Sequence, residues 1–154
     1  MIYYATILLT MVVLPLVSIS TEMATSTGME GLLVVSIKWF AFWAVGVRLL
    51  LAGVSQILRP GYTLKHILGV DEPRAYVIAQ ELGFANVAIG AAGLISLLLP
   101  GWALPVAFVG GVFLGLAGYN HLRRPRRNMR ENVAMASDLF AAAILLIAFV
   151  LSLF

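Results

Sequence analysis

Seven side chains capable of chemistry stand inside otherwise apolar stretches of this sequence. A guanidinium beside a carboxylate can form an ion pair or assist proton transfer, and amide groups can orient the oxygen atoms of a ligand. Because charged and amide groups are costly in hydrocarbon, each is expected to face the interior of a helical bundle. The seven are Arg48, Gln56, Glu81, Asn86, Asn120, His121 and Asp138.

Arg48 is the most informative of them, since an unpaired arginine near the centre of a bilayer costs at least about 2.5 kcal/mol. We therefore expect it to find a carboxylate, either Glu81 or Asp138. Such a pair could hold the helices in register or belong to a functional site, and the sequence leaves both interpretations open. Glu81 could also act as a proton carrier or as a general acid-base group.

The composition indicates what kind of element must position these groups. The 154 residues are 62% hydrophobic and only 11% charged, which is typical of a membrane protein and leaves no room for a separate soluble catalytic domain. The sequence contains no cysteine, which excludes disulfides, thiolate metal sites and cysteine nucleophiles.

Apolar runs long enough to cross a membrane occur five times. They predict an all-α bundle that forms a single transmembrane domain over residues 1–154, because a lipid-exposed backbone must satisfy its own hydrogen bonds. Four spans behind a signal-like N-terminal helix are the alternative. The predicted spans are 2–19, 31–58, 76–99, 102–122 and 133–154.

Charges in the connecting segments predict the orientation in the membrane. Segment 59–75 is basic, and so is segment 123–132, whereas segment 20–30 carries Glu22 and Glu30 without a basic residue. Excess Lys and Arg stay on the cytoplasmic side, so both termini can be assigned. We expect the N-terminus inside and the C-terminus outside a bacterial or archaeal cell membrane.

A run of arginines joins the last two predicted spans. It is tethered between spans and lacks interleaved aromatic side chains for base stacking, so nucleic acid is not the expected partner. Anionic lipid head groups are the expected contact. The run consists of Arg123, Arg124, Arg126, Arg127 and Arg130.

The seven polar groups are expected in the same half of the membrane. With a rise of about 1.5 Å per residue and alternating helix direction, all of them fall in the half of the membrane nearest the basic segments. We therefore expect them to converge on one pocket.

Small residues repeat along the third and fourth spans. Gly83, Gly90 and Gly93 follow helical spacing, as do Gly111, Gly115 and Gly118. Only a Pro-Gly-Trp turn separates these spans, which predicts a tight antiparallel hairpin whose glycine faces meet.

The tryptophans of the second span and the two histidines have simpler structural interpretations. Trp39 and Trp43 are expected in an interfacial aromatic belt, with Lys38 extending toward water. His66 and His121 lack a second ligand at i+3 or i+4, so no metal or haem site is expected.

Three segments resemble known small membrane proteins. The stretch VRLLLAGVSQILRPGYTLKHILG resembles the first core helix of DoxX-like proteins, and ELGFANVAIGAAGL and GYNHLRR resemble motifs of a related bacterial and archaeal family. The resemblance implies a compact helical bundle and an accessory role in a membrane redox or quinone-linked system. The absence of cysteine departs from the redox members, and the resemblance implies no agreed role for the matching polar residues.

The sequence is therefore compatible with three functions. The first is a membrane protein whose polar cluster binds a small ligand or lipid, as an accessory subunit of a redox system or alone. The second is an oligomeric transporter or proton-coupled channel using Arg48, Glu81 and Asp138. The third is an intramembrane enzyme acting on a quinone, sterol or lipid. No cofactor is required, although a quinone or lipid would fit, and a homo-oligomer or a partner membrane subunit stays open.

Overall fold

The computed structural model describes residues 1–25 and 31–154, and these form an all-α bundle. Five helices are long and apolar enough to cross a membrane, which confirms the predicted fold class and makes the chain a multi-pass membrane protein. They are α1 (Ile2–Thr25), α2 (Leu32–Leu58), α3 (Tyr76–Ile95), α4 (Ala103–Leu122) and α5 (Met129–Leu151). Single 3₁₀ turns lead into α3 and α4.

Two of the predicted boundaries were wrong in ways that matter below. Helix α1 continues to Thr25, six residues beyond its predicted end, so Glu22 lies on a helix. Helix α5 begins at Met129, four residues early, because Asn128 accepts a hydrogen bond from the backbone N–H of Glu131 as an N-cap. Glu30 lies outside the described residues.

The glycine stripes join different helices from those predicted. On α3, Gly93 packs on Gly46 of α2 and Gly83 packs on Gly53. On α4, by contrast, Gly118 packs on Leu139 of α5. The prediction that α3 and α4 meet through their glycines was therefore wrong, and the close pairs are α2 with α3 and α4 with α5.

At one end of the bundle, hereafter the outer end, α1 is fastened to α2. Lys38 Nζ lies 2.7 Å from Glu22 Oε1, and the Trp39 indole donates to the same carboxylate at 2.6 Å. One turn further, the Trp43 indole donates to Ser18 Oγ at 3.0 Å. Lys38 and both tryptophans therefore hold two helices together, which corrects the predicted interfacial belt and snorkelling lysine.

At the opposite end, hereafter the inner end, the two basic segments touch. Asn128 Nδ2 donates to the carbonyl of Ile67 at 2.9 Å, and Arg124 donates to the carbonyl of Leu68. The hydroxyl of Tyr3 donates to the carbonyl of Arg130 at 3.1 Å. The start of α1 and both basic segments therefore share one end, as the alternation of five spans requires.

Candidate ligand-binding site

A cavity of about 700 Å³ opens inside the inner half of the bundle and is called the inner cavity below. Helices α1 to α5 all contribute to its wall. Six of the seven polar side chains singled out in the sequence line it: Arg48, Gln56, Asn86, Asn120, His121 and Asp138. Their convergence is confirmed, and their role in binding stays a prediction.

The two opposite charges of the cavity are Arg48 and Asp138. Among the described residues neither forms an ion pair within 4.0 Å, and the buried Nε of Arg48 has no hydrogen-bond partner. Asp138 is only 8% exposed. The predicted direct ion pair is therefore not formed, and the two charges face a shared space instead.

Local irregularity of α2 positions Arg48. The segment Ala41–Val47 is π-helical and ends at the residue before Arg48. Such wide turns are frequent at functional sites because they rotate the following side chain relative to a regular helix. Gly46, within this segment, lets the backbone of α3 approach closely at Gly93, so the turn that precedes Arg48 is fixed against a neighbouring helix.

Two amides form a second polar group on the cavity wall. Asn86 Nδ2 donates to Gln56 Oε1 at 2.6 Å, which links α3 to α2. The Oδ1 atom of Asn86 is buried and finds no partner among the described residues. An unsatisfied buried amide oxygen costs about 1–3 kcal/mol, so this wall favours a ligand that brings a donor.

Glu81 does not belong to the cavity. Its side chain is exposed on α3, and at 3.6 residues per turn it lies about 140° around the helix from Asn86. Since Asn86 faces the cavity, Glu81 faces away from it. The prediction that Glu81 pairs with Arg48 or lines a proton path was therefore wrong.

A short helix covers the inner end of the cavity. Tyr62–Ile67 is π-helical, and it contributes Tyr62, Thr63 and Ile67 to the lining. Gly69 follows this short helix and has a φ of 66°, a left-handed conformation that glycine adopts without strain. Hydrogen bonds from Arg124 and Asn128 to its last carbonyls attach this cover to the α4–α5 connection.

Glu131 is the functional-site neighbour that the sequence interpretation missed. It is 1% exposed, and its Oε1 atom forms an ion pair with Arg124 Nη1 at 3.2 Å and lies 3.1 Å from Nδ1 of His121. Glu131 therefore orients His121 at the edge of the cavity. The Asn-x-x-Glu capping box of residues 128–131 could have indicated this position, because such a pair marks the first turn of a helix.

The five arginines of the run have three different environments. Arg127 donates to the carbonyls of Leu122 and Arg124 at 2.9 and 2.6 Å, and Arg124 holds the cavity cover. These two arginines fasten the α4–α5 connection, which corrects their assignment to lipid head groups alone. Arg123 and Arg126 are exposed and keep that predicted role. Arg130 stacks over the ring of Tyr62, with Cζ 5.6 Å from the ring centroid.

Tyrosine and hydroxyl side chains complete the polar lining and were also missed. Tyr3 and Thr6 reach it from α1, and Ser55 reaches it from α2. A hydroxyl can face either lipid or a cavity, so its type gives no signal of its own in the sequence. Within the described residues, no three His, Asp or Glu side chains converge as metal ligands would.

Comparisons with known proteins give one match. The model of a family described as "Family of unknown function (DUF6790)" matches residues 1–154. No curated protein and no solved structure matches the chain. The resemblance to DoxX-like proteins stays a prediction.

Proposed function

We propose that this chain, which belongs to the DUF6790 family, is a membrane protein that binds the polar head of an amphiphilic small molecule in the inner cavity. The observation that carries the proposal is the separated pair of charges. Arg48 and Asp138 line one space of about 700 Å³, and no carboxylate of the described residues lies within 4.0 Å of Arg48.

Two opposite charges that face each other without contact are costly in a membrane interior. Each loses hydration, and neither regains it through the direct attraction that offsets this loss in a closed pair. A molecule placed between them, with an acceptor for the guanidinium and a donor for the carboxylate, satisfies both groups.

The lining specifies the chemistry of that head. Arg48 requires an anionic or carbonyl oxygen, and Asp138 requires an O–H or N–H donor. Asn86 Oδ1, which has no partner in the described part of the chain, can accept a second donor. A zwitterionic or hydroxylated lipid head meets these demands, and so does a quinol, which keeps both of the ligand classes expected from the sequence.

The orientation expected from the sequence fits this site. With the basic segments on the cytoplasmic side, the inner cavity lies in the cytoplasmic half of the membrane, where Arg123 and Arg126 contact anionic head groups. A transport path is less well supported, because Glu81, one of its three expected ionisable groups, is exposed on α3 away from the cavity.

Retention of a ligand tests the proposal. The protein is extracted in lipid nanodiscs and released into the mass spectrometer, where a bound molecule appears as added mass and is identified by fragmentation. We expect the wild type to retain one molecule, and Arg48→Gln or Asp138→Asn to weaken retention about tenfold or more, because a hydrogen bond to a charged group contributes about 1.5–3 kcal/mol.

Matched controls separate the site from general charge effects. Glu81→Gln removes an exposed carboxylate of α3, and Arg126→Gln removes an exposed arginine. Both variants should retain the ligand as the wild type does. Equal retention in all four variants, or no retained molecule in the wild type, would overturn the proposal.

A further inference from the structure

Four of the five helices form two tightly packed hairpins, α2–α3 and α4–α5. Gly110 of α4 also packs closely on Val45 of α2, whereas α3 and α4 meet more loosely. Helix α3 packs on α2 through Gly83, Gly90 and Gly93, and α4 packs on α5 through Gly111 and Gly118. Between α2 and α3 these contacts bring the backbones together, and between α4 and α5 the side chains of Leu139, Leu145 and Leu146 fill the space over the glycines. Neither interface therefore has room for a ligand. The seam between α3 and α4 lacks such contacts among its glycines, so it is where a molecule can lie between helices.

A second space occupies the outer half of this seam. It measures about 350 Å³ and is called the outer groove below. Helix α3 contributes Ala88, Ile89 and Ala92, and the start of α4 contributes Pro105, Val106 and Val109. Every one of these side chains is apolar, in contrast to the charged wall of the inner cavity.

The inner cavity and the outer groove follow one another along the same two helices. On α3, Asn86 lines the cavity and Ile89, one turn later, lines the groove. On α4, Phe113 lines the cavity and Val109, one turn earlier, lines the groove. Spacings of three and four residues keep these side chains on one face of each helix. The two spaces share no lining residue, so a chain that leaves the cavity along the seam crosses about one helical turn before it reaches the groove.

We propose that the ligand is a single-tailed amphiphile whose head lies in the inner cavity and whose tail runs along the α3–α4 seam into the outer groove. This inference rests on the proposed function, because the head must first be held by Arg48 and Asp138. From Asn86 to Ala92 the seam extends about 9 Å at the helical rise, so the groove receives a tail segment well beyond the head.

The shape of the α3–α4 seam indicates that the ligand has a single tail. A tail leaving bulk lipid gains little from burial, because the surrounding lipid is equally apolar, and the head must supply most of the affinity. The groove then acts by shape. One groove of about 350 Å³ adjoins the cavity along this seam, and the glycine contacts fill the α2–α3 and α4–α5 interfaces, so neither of those two interfaces can take a second tail.

Photolabelling tests this placement. The probe is a lysophosphatidylethanolamine with a diazirine near the end of its single acyl chain, whose phosphate suits Arg48 and whose ammonium suits Asp138. The purified protein in detergent is irradiated with the probe, and labelled peptides are sequenced. We expect labels on the groove faces of α3 and α4, and their loss when excess unlabelled lipid is added.

Variants that fill the groove sharpen the test. Ala92→Phe should abolish the label in the seam. Ala88→Phe should also abolish it, and because Ala88 is exposed this variant replaces Ala92→Phe if that protein does not fold. Ala85→Phe, which is exposed on α3 and lines neither space, is the matched control and should keep the label.

The outcomes distinguish this inference from the proposed function. A label that excess lipid and Arg48→Gln both remove, but that maps to the lipid-facing surface of α5 or α1, would overturn the tail path and leave the head site intact. A label that neither excess lipid nor Arg48→Gln affects would overturn both.

Discussion

The outer and inner ends of the bundle each hold an acid and a base from different helices, and they hold them in opposite ways. At the outer end Glu22 and Lys38 are in contact at 2.7 Å, and Trp39 adds a third bond to the carboxylate. At the inner end Arg48 and Asp138 line a cavity without contact. The first arrangement is complete within the described chain, and the second leaves a space between its members.

The difference shows why a charged pair in a membrane helix cannot be assigned from residue types alone. A closed pair fastens two helices, and its removal affects stability. An open pair contributes little to stability and marks a space that another molecule can occupy. The same two residue classes therefore carry a structural role at one end and, in the function that we propose, a binding role at the other.

The comparison depends first on rigid hairpins that keep the inner charges apart. A Cβ atom added at Gly93 would lie 2.5 Å from the Cα of Gly46, where backbone cannot give way. We expect Gly93→Ala to lower the free energy of unfolding in detergent by about 3 kcal/mol, at the upper end of overpacking effects.

Gly115→Ala is the control for that variant. Its added Cβ would meet only Ala142 Cβ, at an ordinary contact distance of 3.5 Å. Its unfolding should match the wild type, and an equal loss in both variants would mean that general helix effects, and not the α2–α3 contact, set the response.

Breaking the closed pair should be the next largest effect. Glu22→Gln removes the charge that accepts from Lys38 and Trp39, so we expect the free energy of unfolding to fall by about 2 kcal/mol. Chemical denaturation in mixed micelles measures it. Glu81→Gln, on an exposed carboxylate, should leave stability unchanged; a similar loss there would remove the contrast between the two ends.

The helix cap beneath the cavity cover should contribute less. Asn128→Ala removes the bond to the backbone N–H of Glu131 and the bond to the carbonyl of Ile67. We expect a loss of about 1 kcal/mol, typical of an N-cap, together with faster amide hydrogen exchange over Tyr62–Ile67. Unchanged exchange in this segment would show that the cap does not hold the cover.

The smallest effect belongs to a surface pair on the same inner end. Asp71 accepts a hydrogen bond from Lys65 at 2.9 Å and so raises the pKa of the lysine above its usual value. The stabilisation is present at neutral pH and lost only as the pH rises through the raised pKa. Because both groups are exposed, Lys65→Gln should leave thermal unfolding at neutral pH unchanged; a clear shift would contradict this.

The sequence was sufficient for the five helices and for the depth of the polar layer. Both depend on length, apolar content and alternating direction, which are properties of one chain segment at a time. Around each helix the same reasoning was weaker. Glu81 and Asn86 both fall in the inner half of α3, but they face about 140° apart, and position in one half of the membrane could not separate them.

The sequence also did not reveal which helices pack against each other. A short turn joins α3 to α4, yet the glycine stripe of α3 fits Gly46 and Gly53 of α2. Close approach requires complementary surfaces on both helices, and connection length does not supply them. The gap between Arg48 and Asp138 was missed for a related reason, since a distance across a cavity depends on how all the surrounding helices pack.

An experimental density map of the protein in native-lipid nanodiscs tests the central claim most directly. If the ligand binds as we propose, the map will show elongated non-protein density that bridges the Arg48 guanidinium and the Asp138 carboxylate and continues along the α3–α4 seam. A map in which these two side chains are in direct contact, with the inner cavity closed and the seam filled by protein, would contradict it.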